Sequence, residues 1–369
     1  MAYDKFGPYE VYEQLGAGGM ATVHRAVLDI GGGVLREVAL KRLLPQLADD
    51  KKFIEDFVRE ARLAAELNHP NIVRMLELGR IGSTYFIAME LVRGQSLLHL
   101  TKIAHATRMQ TPIGVAIAIL AEILDGLDYA SNATDADGEP LEIVHRDLSP
   151  SNLIITDDGH LKIIDFGVAK AVSGKFTTNT GLVKGKLAYL PLEALAGKAV
   201  DRRADIFSVG VVAWELITGK RLFRADTDFD VIQKIREGIV PPPSKYHRGS
   251  TPELDEIVLH AVSRSRDERW PSAGVMRHAL DSVRRHYRDG AREVASWKRM
   301  LIPELPELTE TTSMELSTRD LLETHREKKW PTTTLVTPEA PPMTTSDMMS
   351  EVEPTELHAD TFWVAPHDD

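Results

Sequence analysis

The sequence predicts an α+β fold in two unequal lobes, a small strand-rich one with a single helix and a larger, mainly helical one, followed by a tail. Three observations predict it. Residues 7–92 alternate apolar and polar side chains at the period of strands, with one helix-spaced interruption. Residues 93–290 carry mostly helical spacing. From 291 to 369, most plainly after about 300, periodicity gives way to Pro, Thr, Glu and Met, a composition that buries too little apolar surface to order itself. The length of 369 residues, 43% hydrophobic and 27% charged, suits two lobes plus such an extension.

Charge is placed unevenly. Residues 301–369 hold four Lys/Arg against fifteen Asp/Glu, a net of −11 that equals the net of the whole chain. The body is therefore balanced and gives no reason to expect a nucleic-acid partner. The absence of cysteine excludes disulfides and thiolate metal sites and fits a reducing compartment. The opening MAYDKFGPYEVYEQL lacks the basic start and apolar core of a signal peptide. The longest apolar run, IGVAIAILAEIL (113–124), is too short to span a bilayer and reads as a buried helix. The expectation is a soluble, cytoplasmic protein without a membrane span.

Taken in order, the strands are YEVYEQLG, TVHRAVL, REVALKRL, IVRMLELG and TYFIAMELV. The interrupting helix, DKKFIEDFVREARLAAELN, puts Phe53, Phe57, Glu60 and Ala64 on one face, with Glu60 the only inward acid. Between the first two strands, LGAGGMATV (15–23) places Gly16, Gly18 and Gly19 at a turn. Glycines there let backbone N–H groups approach phosphates without a Cβ in the way, although an ordinary hairpin turn uses them too. VALK sets Lys41 inside an apolar strand, where it snorkels to the surface or finds a partner. A buried Lys41–Glu60 pair is costly unless something else uses the lysine, as a nucleotide phosphate would. Farther on, HRDLSPSN (145–152) lies between the strand-like runs LEIV and LIIT, and IIDFG (163–167) follows. One short loop thus gathers His145, Arg146, Asp147 and Asn152.

With GAGGMATV, VALKRL, LNHPNIV, HRDLSPSN and DFGVAK in this order, the chain resembles the protein kinase superfamily, most closely the bacterial eukaryotic-like Ser/Thr kinases. The resemblance runs from Tyr9 to Val283. It implies the two-lobed protein kinase fold and transfer of the γ-phosphate of ATP to Ser/Thr hydroxyls of protein substrates, with ATP and Mg²⁺ as cofactors. The implied nucleotide-binding residues are Leu15, Gly16, Ala17, Gly18, Gly19, Val23, Ala39, Lys41, Met89, Glu90 and Val92. The glycine loop would cover the phosphates, and Lys41 would contact the α/β-phosphates while Glu60 orients it. The Glu90 carbonyl and Val92 N–H would read the adenine edge. Asp147 would receive the proton of the substrate hydroxyl, and Asn152 and Asp165 would hold Mg²⁺, oxygen donors suiting a hard cation.

The resemblance also implies an activation segment from Asp165 to Glu193, controlled by a phosphate that Arg146 would receive. Thr178 and Thr180 are the leading candidates, with Thr177 and Ser173 behind them; an unmodified Thr-rich loop is the plain alternative. His145 is expected to pack beneath Phe166, Glu193 to pair with Arg269, and Asp205 to support the catalytic loop. All of these are scaffold roles.

The pattern breaks in places. The third loop glycine is Ala21, and the end of the segment reads Pro191-Leu192-Glu193. Ser149 stands where such kinases carry a lysine that reaches the transferred phosphate, and Lys186 stands where they carry threonine. The expectation is a swap that makes Lys186 catalytic, against the plainer reading of a solvated loop lysine. A pseudokinase scaffold and a small-molecule phosphotransferase are the alternative functions. The first is opposed by the intact Lys41, Glu60, Asp147, Asn152 and Asp165, the second by the long segment ending at Glu193. The last 69 residues hold thirteen threonines with Trp330 and Trp363, which suggests docking of a phosphothreonine-reading partner or a plain tether.

Overall fold

Strand periodicity at the start of the chain becomes an antiparallel sheet in the computed structural model, which describes residues 4–135, 137–166 and 185–303. Its strands are β1 (Asp4–Phe6), β2 (Tyr9–Ala17), β3 (Ala21–Asp29), β4 (Leu35–Leu43), β5 (Met75–Ile81) and β6 (Thr84–Glu90), in the order β1-β2-β3-β4-β6-β5. Chain neighbours pair except where helix α1 (Lys51–Ala65) intervenes between β4 and β5.

Period two decides what β4 presents to each side. Val38 and Leu40 pack with Tyr9, Val11 and Phe86, whereas Leu43 joins Phe57, Ala61 and Ile87 on the other face. Ala39 and Lys41 share the face of Leu43, so Lys41 is carried to the side that α1 covers. Asp50 starts α1, its carboxylate accepting from the N–H groups of Lys52 (3.0 Å) and Phe53 (3.4 Å). The buried face of α1 is Asp56, Phe57, Glu60 and Ala61. Phe53 and Ala64 are only half-buried, and Asp56 is a second inward acid, which corrects the expectation that Glu60 stood alone.

Residues 91–93 lead to a small second sheet of β7 (Gly94–Ser96), β8 (Leu153–Thr156) and β9 (Leu161–Ile163). The run LIIT is β8, but its partners are β7 and β9; LEIV (141–144) forms no strand, although Ile143 and Val144 are buried. The larger lobe is built from α2 (Leu97–Ala106), α3 (Ile113–Ser131), α4 (Leu192–Leu195), α5 (Arg203–Thr218), α6 (Asp228–Glu237), α7 (Pro252–Ala261) and α8 (Ala273–Arg284). α3 and α5 are apolar nearly all round and form the centre of its core. Among the described residues no helix is long and apolar enough to cross a membrane.

The expected boundary at 290 falls one helix short. α9 (Ala291–Leu301) sends Val294, Trp297 and Leu301 into the core of the large lobe, with Trp297 fully buried. The side chain of Lys298 pairs with Asp157 in the β8–β9 turn. Gly159 of that turn has φ +93°, and a Cβ there would lie 1.9 Å from the Ala291 carbonyl oxygen, so only glycine lets the helix approach so closely.

The lobes are also tied behind the connecting segment. The Val73 N–H donates to the Ile163 carbonyl (2.9 Å), and the Ile163 N–H donates to the Asn71 carbonyl (2.8 Å). Lys162 pairs with Glu90 at 2.8 Å, joining β9 to the end of β6.

Candidate active site

Strand register assembles one wall of a cleft. Gly16 pairs with Val23, Val23 with Lys41 and Lys41 with Ile87, while Ala39 in the next row pairs with Met89. Gly18 and Gly19 form the turn between β2 and β3, whereas Gly16 lies within β2, not in the turn as expected. The Gly18 N–H donates to the Ala21 carbonyl at 2.9 Å. A Cβ on Gly16 or Gly19 would meet nothing within 4 Å, and neither residue has a positive φ. Neither packing nor backbone conformation therefore requires glycine at these two places, and the space above them is open to a ligand. Leu15 is half-exposed beside them, Ala17 is exposed, and Glu90 and Val92 lie at the connecting segment with Met89 before them.

Lys41 is 7% exposed and sits between two carboxylates. Its Nζ lies 2.7 Å from Glu60 Oε1 of α1 and 2.9 Å from Asp165 Oδ1 just beyond β9. Burial works against its charge, but Asp165 and Glu60 outweigh it and raise the ammonium well above the usual lysine value. Burial pushes the Glu60 carboxyl up against the pull of Lys41. At Asp165 burial acts in the same sense, but Lys41, with help from Lys186, holds the carboxyl below the usual aspartate value. The sequence singled out Asp165 only as a metal ligand; its bond to Lys41 spans 124 positions and no local pattern announces it.

The HRDLSPSN loop is folded around Asp205 of α5. Its Oδ2 and Oδ1 accept from the backbone N–H groups of His145 (2.7 Å) and Arg146 (2.9 Å), and burial pushes its carboxyl up against these bonds. The Asp147 N–H donates to His145 Nδ1 at 3.2 Å, which leaves Nε2–H to donate to the Ile164 carbonyl at 3.2 Å. The imidazole packs on Phe166 with ring centroids 4.7 Å apart, joining the HRDLSPSN loop to the segment that holds Asp165. Arg146 (φ 62°) and Asp165 (φ 55°) both occupy the left-handed region, each costing about 1–3 kcal/mol that the surrounding bonds must offset.

Asp147 is fixed from two sides. Asn152 Nδ2 donates to its carbonyl (2.9 Å) and to its Oδ2 (3.3 Å), and Lys186 Nζ lies 2.7 Å from the same Oδ2. Ser149 is 3% exposed, and its Oγ is 2.9 Å from Ser151 Oγ. Asn152 and Asp165, the expected cation ligands, bring one carboxamide and one carboxylate, and among the described residues no group of three or more His, Cys, Asp or Glu side chains forms a metal cage. One carboxylate and one carboxamide, with phosphates and water completing the shell, is the donor set Mg²⁺ takes at nucleotide sites. Glu193 and Arg269 form a bidentate pair (2.6 and 3.1 Å) with the guanidinium fully buried. Ser173, Thr177, Thr178 and Thr180 lie outside the described residues, as do Trp330 and Trp363.

Comparison with known proteins bears on this arrangement. A family model described as the protein kinase domain matches residues 9–280. The chain is 40% identical over 286 residues to the tyrosine-protein kinase MasK of Myxococcus xanthus, covering 78% of this chain and 44% of that protein. It is 38% identical over 285 residues to the serine/threonine-protein kinase PknB of Mycolicibacterium smegmatis, covering 75% of this chain and 43% of that one. The chain thus spans less than half the length of either relative. Among solved structures, the PknI kinase domain of Mycobacterium tuberculosis superposes with a TM-score of 0.56 at 26% identity, covering 76% of this chain and 98% of that chain. From the glycine loop through the Lys41–Glu60 pair to the Glu193–Arg269 tie, this chain belongs to the protein kinase domain family.

Proposed function

We propose that this protein is an ATP-dependent protein kinase that transfers the γ-phosphate of ATP to serine or threonine hydroxyls. One observation carries the reading: a buried lysine held between Glu60 and Asp165, with Asp147 and Asn152 bonded to each other in the adjoining loop. In the transfer, the hydroxyl oxygen forms a bond to Pγ, the Pγ–O bond to ADP breaks, and ADP leaves with that electron pair. The hydroxyl proton passes to Asp147. Such chemistry needs positioning and charge neutralisation more than a strong base. Asn152 and Asp165 supply the protein oxygens for Mg²⁺, which when bound neutralises phosphate charge. Lys41 holds the α/β-phosphates, Gly16, Gly18 and Gly19 leave room for the phosphates, and the Glu90–Val92 segment meets the adenine.

Incubation with γ-labelled ATP, Mg²⁺ and casein tests this. Wild type should label casein, and Lys41→Met should reduce labelling by about 10²-fold or more. Equal labelling by Lys41→Met would reject the reading. Hydroxyl choice is a separate arm. PknB is named a serine/threonine kinase and MasK a tyrosine kinase. Phosphoamino-acid analysis should return phosphoserine and phosphothreonine; phosphotyrosine alone would assign the tyrosine reading.

Control by phosphorylation of Thr178 or Thr180 belongs to the same proposal. Arg146 Nε is buried with no hydrogen-bond partner among the described residues, and burial pulls the guanidinium below its usual value. A phosphate would add a hydrogen-bonded anionic partner to a cation that so far feels only the charge of Asp205 among the described residues. Phosphothreonines in the acidic tail would in turn recruit a phosphothreonine-reading partner. Removal of residues 304–369 should abolish capture of that partner by autophosphorylated protein; undiminished capture would exclude the tail.

A further inference from the structure

We infer that Lys186 is a catalytic residue of this site, supplying from the segment leading into α4 the positive charge that neutralises the phosphoryl group in transit. The inference rests on the kinase reading and adds a residue that the motifs of the catalytic loop do not contain.

The need is set by the chemistry. Negative charge spreads over the oxygens of a phosphoryl group in transit, and a fixed cation beside them lowers the barrier directly. The HRDLSPSN loop does not provide one at the reacting side. Ser149, two residues beyond the proton acceptor, is uncharged and buried, with its hydroxyl turned to Ser151. Arg146 lies on the side of the loop whose backbone is bound to Asp205. Lys41, held by two carboxylates, is assigned to the α/β-phosphates and not to the group in transit.

Lys186 meets the requirement. Its ammonium is 2.7 Å from Asp147 Oδ2, the carboxylate that takes the substrate proton, and its side chain is 22% exposed. An ammonium has three N–H bonds, so one spent on Asp147 leaves others for the oxygens of a phosphoryl group arriving at the neighbouring hydroxyl. The footing is rigid. Lys186 precedes a 3-10 turn, Leu187–Tyr189, in which the Tyr189 N–H donates to the Lys186 carbonyl (3.1 Å). Ala188, Tyr189 and Leu190 are buried, the Tyr189 hydroxyl donates to Glu215 (2.7 Å), and Ser208 Oγ of α5 donates to the Tyr189 carbonyl (2.8 Å). These bonds fix the backbone from which the Lys186 side chain reaches Asp147. A merely solvated lysine would not lie on the one carboxylate that performs the chemistry.

In the step, the hydroxyl O–Pγ bond forms, the Pγ–O bond to ADP breaks with its electron pair leaving on ADP, and the proton moves to Asp147. Lys186 stays protonated throughout and takes part only by its charge and hydrogen bonds.

The test uses the full chain with ATP, Mg²⁺ and casein, measuring kcat, KM for ATP and melting temperature. Lys186→Ala should lower kcat by about 10²–10³-fold while KM for ATP moves by no more than about threefold. Lys186→Arg should keep more activity than Lys186→Ala. The double variant Ser149→Lys/Lys186→Thr should recover at least about tenfold over Lys186→Thr alone, a rescue that a structural role would not give. Should Lys186→Ala melt early, Lys186→Met, which keeps the apolar stem, takes its place. A folded Lys186→Ala with kcat within about twofold of wild type overturns the inference and leaves the kinase reading intact. A raised KM with unchanged kcat overturns it too. A wild type that transfers no phosphate overturns both.

Discussion

Lys41 shows how a costly arrangement is held in place. A buried ammonium between two carboxylates is electrostatically satisfied, yet one carboxylate comes from α1 and the other from beyond β9. The pair therefore reports on both lobes at once. Asp165 also sets a pH dependence. Its folded carboxyl lies below the unfolded value, so its contribution to stability is present above about pH 4 and is lost as pH falls through the lower folded value. Urea midpoints of nucleotide-free wild type and Asp165→Asn should differ more at pH 6 than at pH 3. A difference unchanged across that window would mean that Lys41 does not hold Asp165 charged. Lys41, Asp147 and Asn152 stood out in the sequence because short motifs fix a residue type at a short spacing, and Glu60 because helical spacing puts it on the inward face of α1. The Lys41–Asp165 bond and the Lys186–Asp147 contact join distant parts of the chain, and for the second the hints were the missing lysine at Ser149 and the lysine standing at 186 in place of threonine.

At the scale of elements, composition and periodicity gave different answers near 290. The tail was bounded by its change of composition, yet Val294, Trp297 and Leu301 stand at i, i+3 and i+7, the spacing of a buried helical stripe. That spacing was visible, but the acidic, Thr-rich stretch that follows masked it. The LEIV run shows the opposite difficulty. Ile143 and Val144 are buried as a strand's residues would be, but a strand also needs a partner edge, and β8 takes β7 and β9 instead. Because α9 completes the core of the large lobe and clamps the β8–β9 turn, Trp297→Ala should destabilise the protein by about 3–5 kcal/mol in urea unfolding. A chain ended at 290 should lose at least as much, whereas one ended at 303 should lose little. Unchanged midpoints for Trp297→Ala and for the chain ended at 290 would show that α9 adds nothing to the fold. Gly159→Ala should also destabilise, through its positive φ and the carbonyl it would strike.

Across the whole molecule, the division into a strand-rich lobe and a helical lobe followed from the two hydrophobic periods and is what the structure contains. The lobes share more than the connecting segment. Asn71 and Val73 are bonded to β9, Lys162 to Glu90, and Lys41 to Asp165, so the sheet that carries Gly16, Gly18 and Gly19 is referenced to the segment around Asp165. In the proposed reading, the fold thus sets Lys41, the proton acceptor Asp147 and the oxygen ligands Asn152 and Asp165 around one place where a terminal phosphate would meet a hydroxyl. The most direct test is Mg²⁺-dependent transfer of label from γ-labelled ATP to an acceptor protein by wild type and by Asp147→Asn, with ATP affinity measured alongside. Wild type should transfer, and Asp147→Asn should fall by about 10²–10⁴-fold with ATP affinity nearly unchanged. Transfer at the wild-type rate by Asp147→Asn, or none by wild type in the presence of Mg²⁺, would contradict the account.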